Sequence, residues 1–308
     1  MNTLNNEPIS ATSAIGPIIL CIVFGANAVA IKISQVGIGT FTAAGLRFCL
    51  AAIALALWAH MSGRPFAISK NNIKPLLIIS ILFTAQLSLF YLGLSKTLAS
   101  RGALIVNAVP FLVLIFAHFF IANDRISGRK IAGMSLGFCG IALVLANGKS
   151  LSAVILSGDA IVLLAAVIWS ANAVYTKTII HRFRSFQLVL FPMVFATPVL
   201  LVEGWLWDGM MIDFIDAPIA AAMVYQSLIC AAIGFVAWNH LLRRFGATTL
   251  HSFIFIMPIS GVLAGGLVLK EPLTIYLIVG AVLVAAGIGM VNRNPKRSTT
   301  VCPTDRTF

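Results

Sequence analysis

Five amide side chains stand near the middle of long apolar runs, far from the polar ends of those runs. An amide at hydrocarbon depth is costly and faces the interior of a helix bundle, where it can hydrogen-bond a small solute. Aromatic residues accompany these amides, so the sequence predicts a pocket for a small amphipathic molecule. The predicted substrate-binding residues are Asn27, Gln86, Tyr91, Asn107, Trp169, Asn172, Tyr225, Gln226, Trp238 and His251.

The same amides have a second interpretation, which the sequence leaves open. Polar side chains on neighbouring membrane helices bond one another and contribute about 0.6 kcal/mol per pair. Asn27 and Asn172 occur in matching sequence contexts. That match is compatible with a repeated solute contact and with a repeated packing contact.

Ionisable groups are nearly absent from the middle of the apolar runs. All nine acidic residues lie in tails, loops or near helix ends. Exchange of a proton for a permanent cation requires a buried carboxylate, so a neutral or zwitterionic solute is favoured. Arg47 is the deepest cation, about a third of the way into its run, and could bind a carboxylate through two hydrogen bonds. Proton coupling, if present, would depend on His118, His240 or His251.

Catalytic and metal-binding patterns are missing from the sequence. There is no GxSxG, HExxH or Walker A motif, and the five cysteines are scattered without a CxxC pair. We therefore expect no enzyme activity, no metal and no cofactor. A solute pocket without catalytic groups favours a permease. The alternatives are a non-transporting sensor or accessory subunit and, less favoured, a membrane-embedded enzyme.

The elements that must position these residues are membrane helices. The chain is 60% hydrophobic and 10% charged, whereas a soluble domain carries about 25% charged residues. Long continuous apolar runs near the ~20 residues that cross a bilayer predict helices rather than a barrel. The ten predicted spans are 15–35, 40–60, 75–95, 99–121, 130–147, 158–179, 186–206, 219–241, 247–269 and 273–292.

The distribution of basic residues predicts the orientation of these spans. The formal charge is +12, but the basic residues lie in short clusters between apolar runs, which excludes nucleic acid as a partner. With a cytoplasmic N-terminus, 15 of the 21 Lys and Arg residues fall on the inner side. The sequence therefore predicts a multi-pass protein of the inner (plasma) membrane with cytoplasmic tails at 1–14 and 293–308.

Internal repetition divides the chain into two halves. Ala-Asn-Ala-Val occurs at 26–29 and again at 171–174, which is 145 residues later. Four further residues recur at offsets of 147 or 148, namely Pro110, Asp124, Gly133 and Gly140, which correspond to Pro258, Glu271, Gly280 and Gly287. Each half, 15–147 and 158–292, contains five predicted spans. Because five is odd, the second half must enter the membrane from the opposite side, as in the inverted repeats of secondary transporters.

These features resemble the EamA-type branch of the drug/metabolite transporter superfamily over residues 15–292. The resemblance rests on paired five-helix halves, in which a proline is followed by an acidic residue and then by a glycine-rich helix. The first half has Asp124 where the family usually has glutamate. The resemblance implies ten helices, small-metabolite transport and a central cavity lined by spans 1, 3, 4, 6, 8 and 9.

Pro110 and Pro258 are candidates for hinges, because each removes a backbone donor at a comparable place in its half. Asp124 and Glu271 are candidates for gating residues, with a solvated charge or a structural ion pair as the alternative. The predicted function is secondary or facilitative movement, by efflux, of a small amino-acid-like solute by alternating access. The predicted partners are that solute and the bilayer. The oligomeric state, monomer or homodimer, is left open.

Overall fold

The computed structural model describes residues 11–120, 128–146, 152–235, 237–238, 241 and 253–292. Within these ranges the chain is helical, with one isolated bridge between Ile38 and Ile212. Eight helices are long and apolar enough to cross a membrane, by length and composition, and two further apolar helices are shorter. The expected all-α membrane class is confirmed for this part of the chain.

The helices of the first half follow the predicted spans closely. They are α1 (Ala11–Ser34), α2 (Thr40–Met61), α3 (Lys70–Lys96), α4 (Ala99–Phe120) and α5 (Gly128–Ala146). α4 is interrupted by a 3₁₀ turn at Val106–Ala108.

The helices of the second half are α6 (Ala153–Ile179), α7 (Gln187–Trp207), α8 (Ala217–Val224), α9 (Ile256–Val268) and α10 (Ile275–Asn292). A π-helical segment, Tyr225–Gly234, continues α8 directly. The ninth predicted span began at 247, but residues 242–252 lie outside the described ranges.

Large apolar side chains cover the outer surface of the bundle. Leu57, Leu164 and Ile233 are each at least half exposed, and many other large apolar residues of the helices are also exposed. Soluble proteins rarely expose such continuous apolar surface. The interior instead holds polar side chains such as Gln86 and Gln226, which are almost fully buried. This distribution suits a bundle whose solvent is lipid.

Equivalent helices of the two halves pack against each other in opposite directions. In α5 and α10, Gly133 lies against Gly287, and Gly140, further along α5, lies against Gly280, earlier in α10. A Cβ on Gly133 would be only 2.9 Å from the Gly287 carbonyl oxygen. Glycine is therefore required at this crossing, where the absence of side chains lets the two helix backbones approach closely.

The helix contacts repeat between the halves. α1 packs on α9, and the equivalent pair, α6 and α4, also packs together. α3 packs on α6, just as α8 and its π-helical continuation pack on α1. Three helices of the first half pack against their own counterparts: α2 on α7, α4 on α9 and α5 on α10. The bundle therefore presents similar surfaces from both halves to one central space.

Candidate functional site

A cavity of about 430 Å³ lies at the centre of the bundle. Helices α1, α3, α4, α6 and α9 line it together with the π-helical continuation of α8, and α2 adds Arg47. The volume falls within the ~300–1,000 Å³ of small-molecule sites. The cavity lies among the six helices that the family resemblance implied.

Two irregular segments shape this cavity. The 3₁₀ turn of α4 places Asn107 at the lining, where its side-chain amide donates to the Ala103 carbonyl at 2.6 Å. Pro110 follows this turn at the second position of the next helical segment, where a missing N–H is tolerated. On the other side, Cys230 of the π-helical segment lines the cavity. Short 3₁₀ and π segments within longer helices are frequent at functional sites.

Aromatic rings line the cavity in two pairs. Phe24 and Phe235 have ring centroids 6.2 Å apart, and Phe90 and Trp169 have centroids 6.3 Å apart. Trp238 lies 6.1 Å from Phe24 in an edge-on arrangement. Phe24 precedes Trp169 by 145 residues, and Phe90 precedes Phe235 by the same offset. The sequence reasoning missed Phe24 and Phe235, although this offset, already visible in the matching asparagines, could have identified them.

Arg47 brings a buried cation to the cavity. Its side chain is 8% exposed, and Nη1 donates to the Tyr91 hydroxyl at 3.1 Å. The Tyr91 hydroxyl donates to Gln226 Oε1 at 2.9 Å, and Gln226 Nε2 donates to Ser34 Oγ at 3.1 Å. Among the described residues, Arg47 has no carboxylate within 4.0 Å, and its Nε has no hydrogen-bond partner. The guanidinium carbon also lies 5.0 Å from the centroid of the Phe48 ring. Neutral groups thus orient the positive charge, and no anion among the described residues compensates it.

The two matched asparagines occupy different environments. Asn172 donates to Gln86 Oε1 at 3.1 Å, away from the cavity lining. Asn27 lines the cavity, and its buried Oδ1 has no hydrogen-bond partner among the described residues. At the offset of 145, the counterpart of Gln86 is Ala231, which has no polar group to bond Asn27.

The predicted substrate-binding residues thus divide into two groups. Asn27, Asn107, Trp169 and Trp238 line the cavity. The others described lie outside the lining and bond between helices, including Tyr225, whose hydroxyl donates to the Val23 carbonyl at 2.7 Å. That second group is Gln86, Tyr91, Asn172, Tyr225 and Gln226. His251 lies outside the described residues, and for every member substrate contact stays a prediction.

Of the predicted gating residues, Glu271 makes defined contacts. Its two carboxylate oxygens accept from the backbone N–H groups of Ala99 (2.7 Å) and Ser100 (2.8 Å) at the start of α4. Pro258 is buried at the third position of α9. Asp124 lies outside the described residues. The hinge and gating roles stay predictions.

A second hollow, about 710 Å³, lies among α1, α2 and the π-helical segment. Apart from Trp58, its lining consists of glycine, alanine, isoleucine and leucine. Among the described residues of this lining, only the indole of Trp58 has a polar side-chain group to orient a solute. The central cavity is therefore the candidate site. No group of three metal-ligating side chains is found within the described parts of the chain.

Proteins similar to this chain are transporters by name. The relatives include a "Probable terminal-alkyne amino-acid exporter" of Streptantibioticus cattleyicolor, 25% identical over 92% of this chain and 94% of that protein. A "Probable amino-acid metabolite efflux pump" of Escherichia coli K12 is 23% identical over 88% of this chain and 91% of its own length. An uncharacterized transporter of Bacillus subtilis strain 168 is 23% identical over 90% of this chain and 95% of that protein. These names are consistent with a protein that is not an enzyme.

A protein of known crystal structure shares the fold, with a TM-score of 0.67 at 16% identity over 91% of this chain and 96% of that one. The sequence model described as "EamA-like transporter family" matches twice, at residues 12–146 and 156–293. These two matches cover most of the chain, so the resemblance noted from the sequence is confirmed. The chain is a multi-pass membrane protein that belongs to the EamA-like transporter family, and the family's domain occurs in it twice.

Proposed function

We propose that this chain is a secondary or facilitative permease that exports a small, neutral or zwitterionic, amino-acid-like metabolite by alternating access. The observation that carries the proposal is the central cavity, in which aromatic rings from both halves surround a few polar groups. A solute with an apolar part and a polar part is the natural ligand of such a lining.

The proposed architecture is two inverted five-helix repeats, 15–147 and 158–292. Its support is the antiparallel packing of equivalent helices at α5 and α10 and the helix contacts that recur between the halves. The family domain also occurs twice. Rocking of one half against the other would open the central cavity alternately to each side of the membrane.

The proposed substrate class and direction rest on two relatives. One is named as an amino-acid exporter and the other as an amino-acid metabolite efflux pump. The described residues of the central cavity lining include no carboxylate, which also favours a neutral or zwitterionic solute over a permanent cation.

In the proposed transport cycle, the contact between α4 and α9 closes the end of the bundle where α4 begins. Here α4 packs against α9, with Gly265 beside Ser100 and Gly261 beside Ala103. Glu271 holds the first two N–H groups of α4 across the same contact. In the proposed orientation, with both termini cytoplasmic, this end faces outward. Export would require α4 and α9 to separate here.

Flux measurements on purified protein in liposomes test the proposal. We expect counterflow of radiolabelled amino acids from a panel of polar, aliphatic and aromatic members. Val106→Trp places a large side chain into the cavity lining and should abolish flux. Leu57→Trp is the matched control, because Leu57 is 58% exposed on the lipid-facing surface.

A sensor or accessory subunit would show no flux above that of protein-free vesicles with any solute of the panel, and that result would refute the permease. Equal flux from the Val106→Trp and wild-type proteins would place the translocation path elsewhere. Comparison of inside-out with right-side-out vesicles prepared from cells then decides the direction.

A further inference from the structure

We infer that Arg47 is the group that recognises the substrate carboxylate, and that the preferred ligand is an α-amino acid with an apolar or aromatic side chain. This inference rests on the proposed function, because it specifies the ligand of the same cavity. It adds a residue with a defined chemical role, which neither the family match nor the relatives' names assign.

The first argument is the uncompensated charge. Arg47 is more than nine-tenths buried, and its partner of opposite charge is missing among the described residues. A buried charge is costly unless it is paired. Arg101, the other deeply buried arginine among the described residues, follows this rule, because it forms an ion pair with the buried carboxylate of Asp159. Arg47 lines a cavity large enough for a ligand to supply the missing anion.

The second argument is the way Arg47 is held. The Tyr91–Gln226–Ser34 series of hydrogen bonds engages one nitrogen, Nη1, and leaves Nε without a protein partner. A guanidinium bound at one nitrogen keeps other donors for a planar, two-oxygen acceptor. The series is neutral throughout, so it positions the charge without cancelling it.

The third argument concerns the rest of the ligand. Asn27 contributes a buried oxygen without a partner, which suits an ammonium N–H. The rings of Phe24, Phe90 and Trp169 offer apolar faces for a side chain and favourable surfaces for a cation. A cation, an acceptor and aromatic rings in one cavity match the three parts of an apolar amino acid.

The cation also breaks the symmetry of the two halves. The aromatic lining is repeated at an offset of 145, but the corresponding position for Arg47 is Pro192, followed by Met193 and Val194. Within the described lining, the cavity therefore has one candidate carboxylate site, contributed by the first half. A solute bound there has one defined orientation, which a purely symmetric aromatic lining would not impose.

Binding competition with purified protein tests this inference separately from transport. The probe is radiolabelled L-phenylalanine, and the competitors are 3-phenylpropionate, which keeps the carboxylate, and L-phenylalanine amide, which loses its negative charge. We expect phenylalanine to bind, phenylpropionate to compete and the amide to be at least about tenfold weaker, because charge-assisted hydrogen bonds are lost.

Three variants accompany the competition assay. Arg47→Gln should lower phenylalanine affinity at least about tenfold. Arg47→Lys should lower it less, because lysine keeps the charge but lacks the planar pair of N–H donors of the guanidinium. Lys96→Gln is the matched control, since it removes an equal charge from an exposed position at the end of α3 and should leave binding unchanged. The competitor series on wild-type protein tests for the carboxylate site even if Arg47→Gln does not fold.

The inference is overturned if wild-type protein does not bind phenylalanine, if the amide competes as well as phenylpropionate, or if folded Arg47→Gln binds like wild type. A different result would refute the proposed function. In that case, carboxylates would bind in an Arg47-dependent way, but no solute would show flux. Flux of solutes that lack a carboxylate, unaffected by Arg47→Gln, would retain the permease and remove the carboxylate site.

Discussion

Asn27 and Asn172 show how one repeated residue can acquire two roles. The matching sequence context suggested equivalent functions, yet Asn172 bonds Gln86 and Asn27 faces the cavity with an unpartnered oxygen. At the offset of 145 that relates the two asparagines, the position that corresponds to Gln86 is Ala231, which has no side-chain polar group. Among the described residues, the Asn27 oxygen therefore has no hydrogen-bond partner, and its contact with a ligand stays a prediction.

At the residue scale, a double-mutant cycle tests whether Gln86 is hydrogen-bonded to Asn172 and not to Asn27. Asn172→Ala and Gln86→Ala should be coupled by about 0.6 kcal/mol, the average for hydrogen bonds between membrane helices. Asn27→Ala and Gln86→Ala should be additive, because these side chains share no hydrogen bond. The measurement is unfolding free energy in detergent micelles. Coupling of Gln86 to Asn27, and none to Asn172, would reverse the assignment.

The buried ion pair between Arg101 and Asp159 leads to a second prediction at this scale. Arg101 Nε donates to Asp159 Oδ2 at 3.0 Å, and Thr97 also donates to this carboxylate. Asp159→Asn should destabilise the protein by about 3–5 kcal/mol, because it leaves a buried cation without its anion. The double replacement Arg101→Met with Asp159→Leu should recover most of this loss. Thermal unfolding of these variants provides the measurement, and a single variant as stable as wild type would contradict it.

At the scale of elements, the contact between α4 and α9 is the one that we propose closes the cavity. A Cβ on Gly265 would lie 2.9 Å from Ser100 Cβ, so the helices meet at glycine and small side chains. Glu271 strengthens the contact by accepting the first N–H groups of α4. In the proposed transport cycle, α4 and α9 pack tightly in one state and move apart in the other.

Thiol labelling tests this closure. Ser100 is fully buried, so Ser100→Cys, in a background without the native cysteines, should react slowly with a membrane-impermeant maleimide. Glu271→Ala removes both acceptors and should raise that rate several-fold, because α4 then separates more readily from α9. Asp213→Ala is the control, since it removes a carboxylate from the exposed connection before α8. Equal rates with and without Glu271 would exclude it from gating.

At the scale of the whole molecule, the antiparallel packing of α5 and α10 supports the proposed arrangement, in which the two halves face opposite ways. The connection between α2 and α3 and its counterpart between α7 and α8 should therefore lie on opposite sides of the membrane. Ser69→Cys and Met210→Cys mark these connections at exposed positions. In intact cells, an impermeant maleimide should label Met210→Cys alone, and after permeabilisation it should label both. Labelling of both from one side would refute the inverted arrangement.

The helices and the family were predictable because lipid imposes a simple rule on sequence. Each span must be long and apolar, so hydrophobic runs mark helices such as α2 and α6 closely. The offset between the repeated residues also predicted which helix of the second half corresponds to each helix of the first half. Sequence reasoning did not foresee the π-helical segment Tyr225–Gly234 or the ion pair of Arg101 with Asp159.

The amino-acid sequence was sufficient to establish an apolar, repeated chain with polar groups at depth, because composition and period are properties of the chain alone. It could not say which of those polar groups bond each other and which face a solute, because that depends on side-chain direction across helices distant in sequence. In the folded chain, Tyr91 hydrogen-bonds both Arg47 and Gln226, and the Arg47 side chain lies in the cavity lining. The choice between structural contact and solute contact is thus made by the partners that folding brings within hydrogen-bond distance.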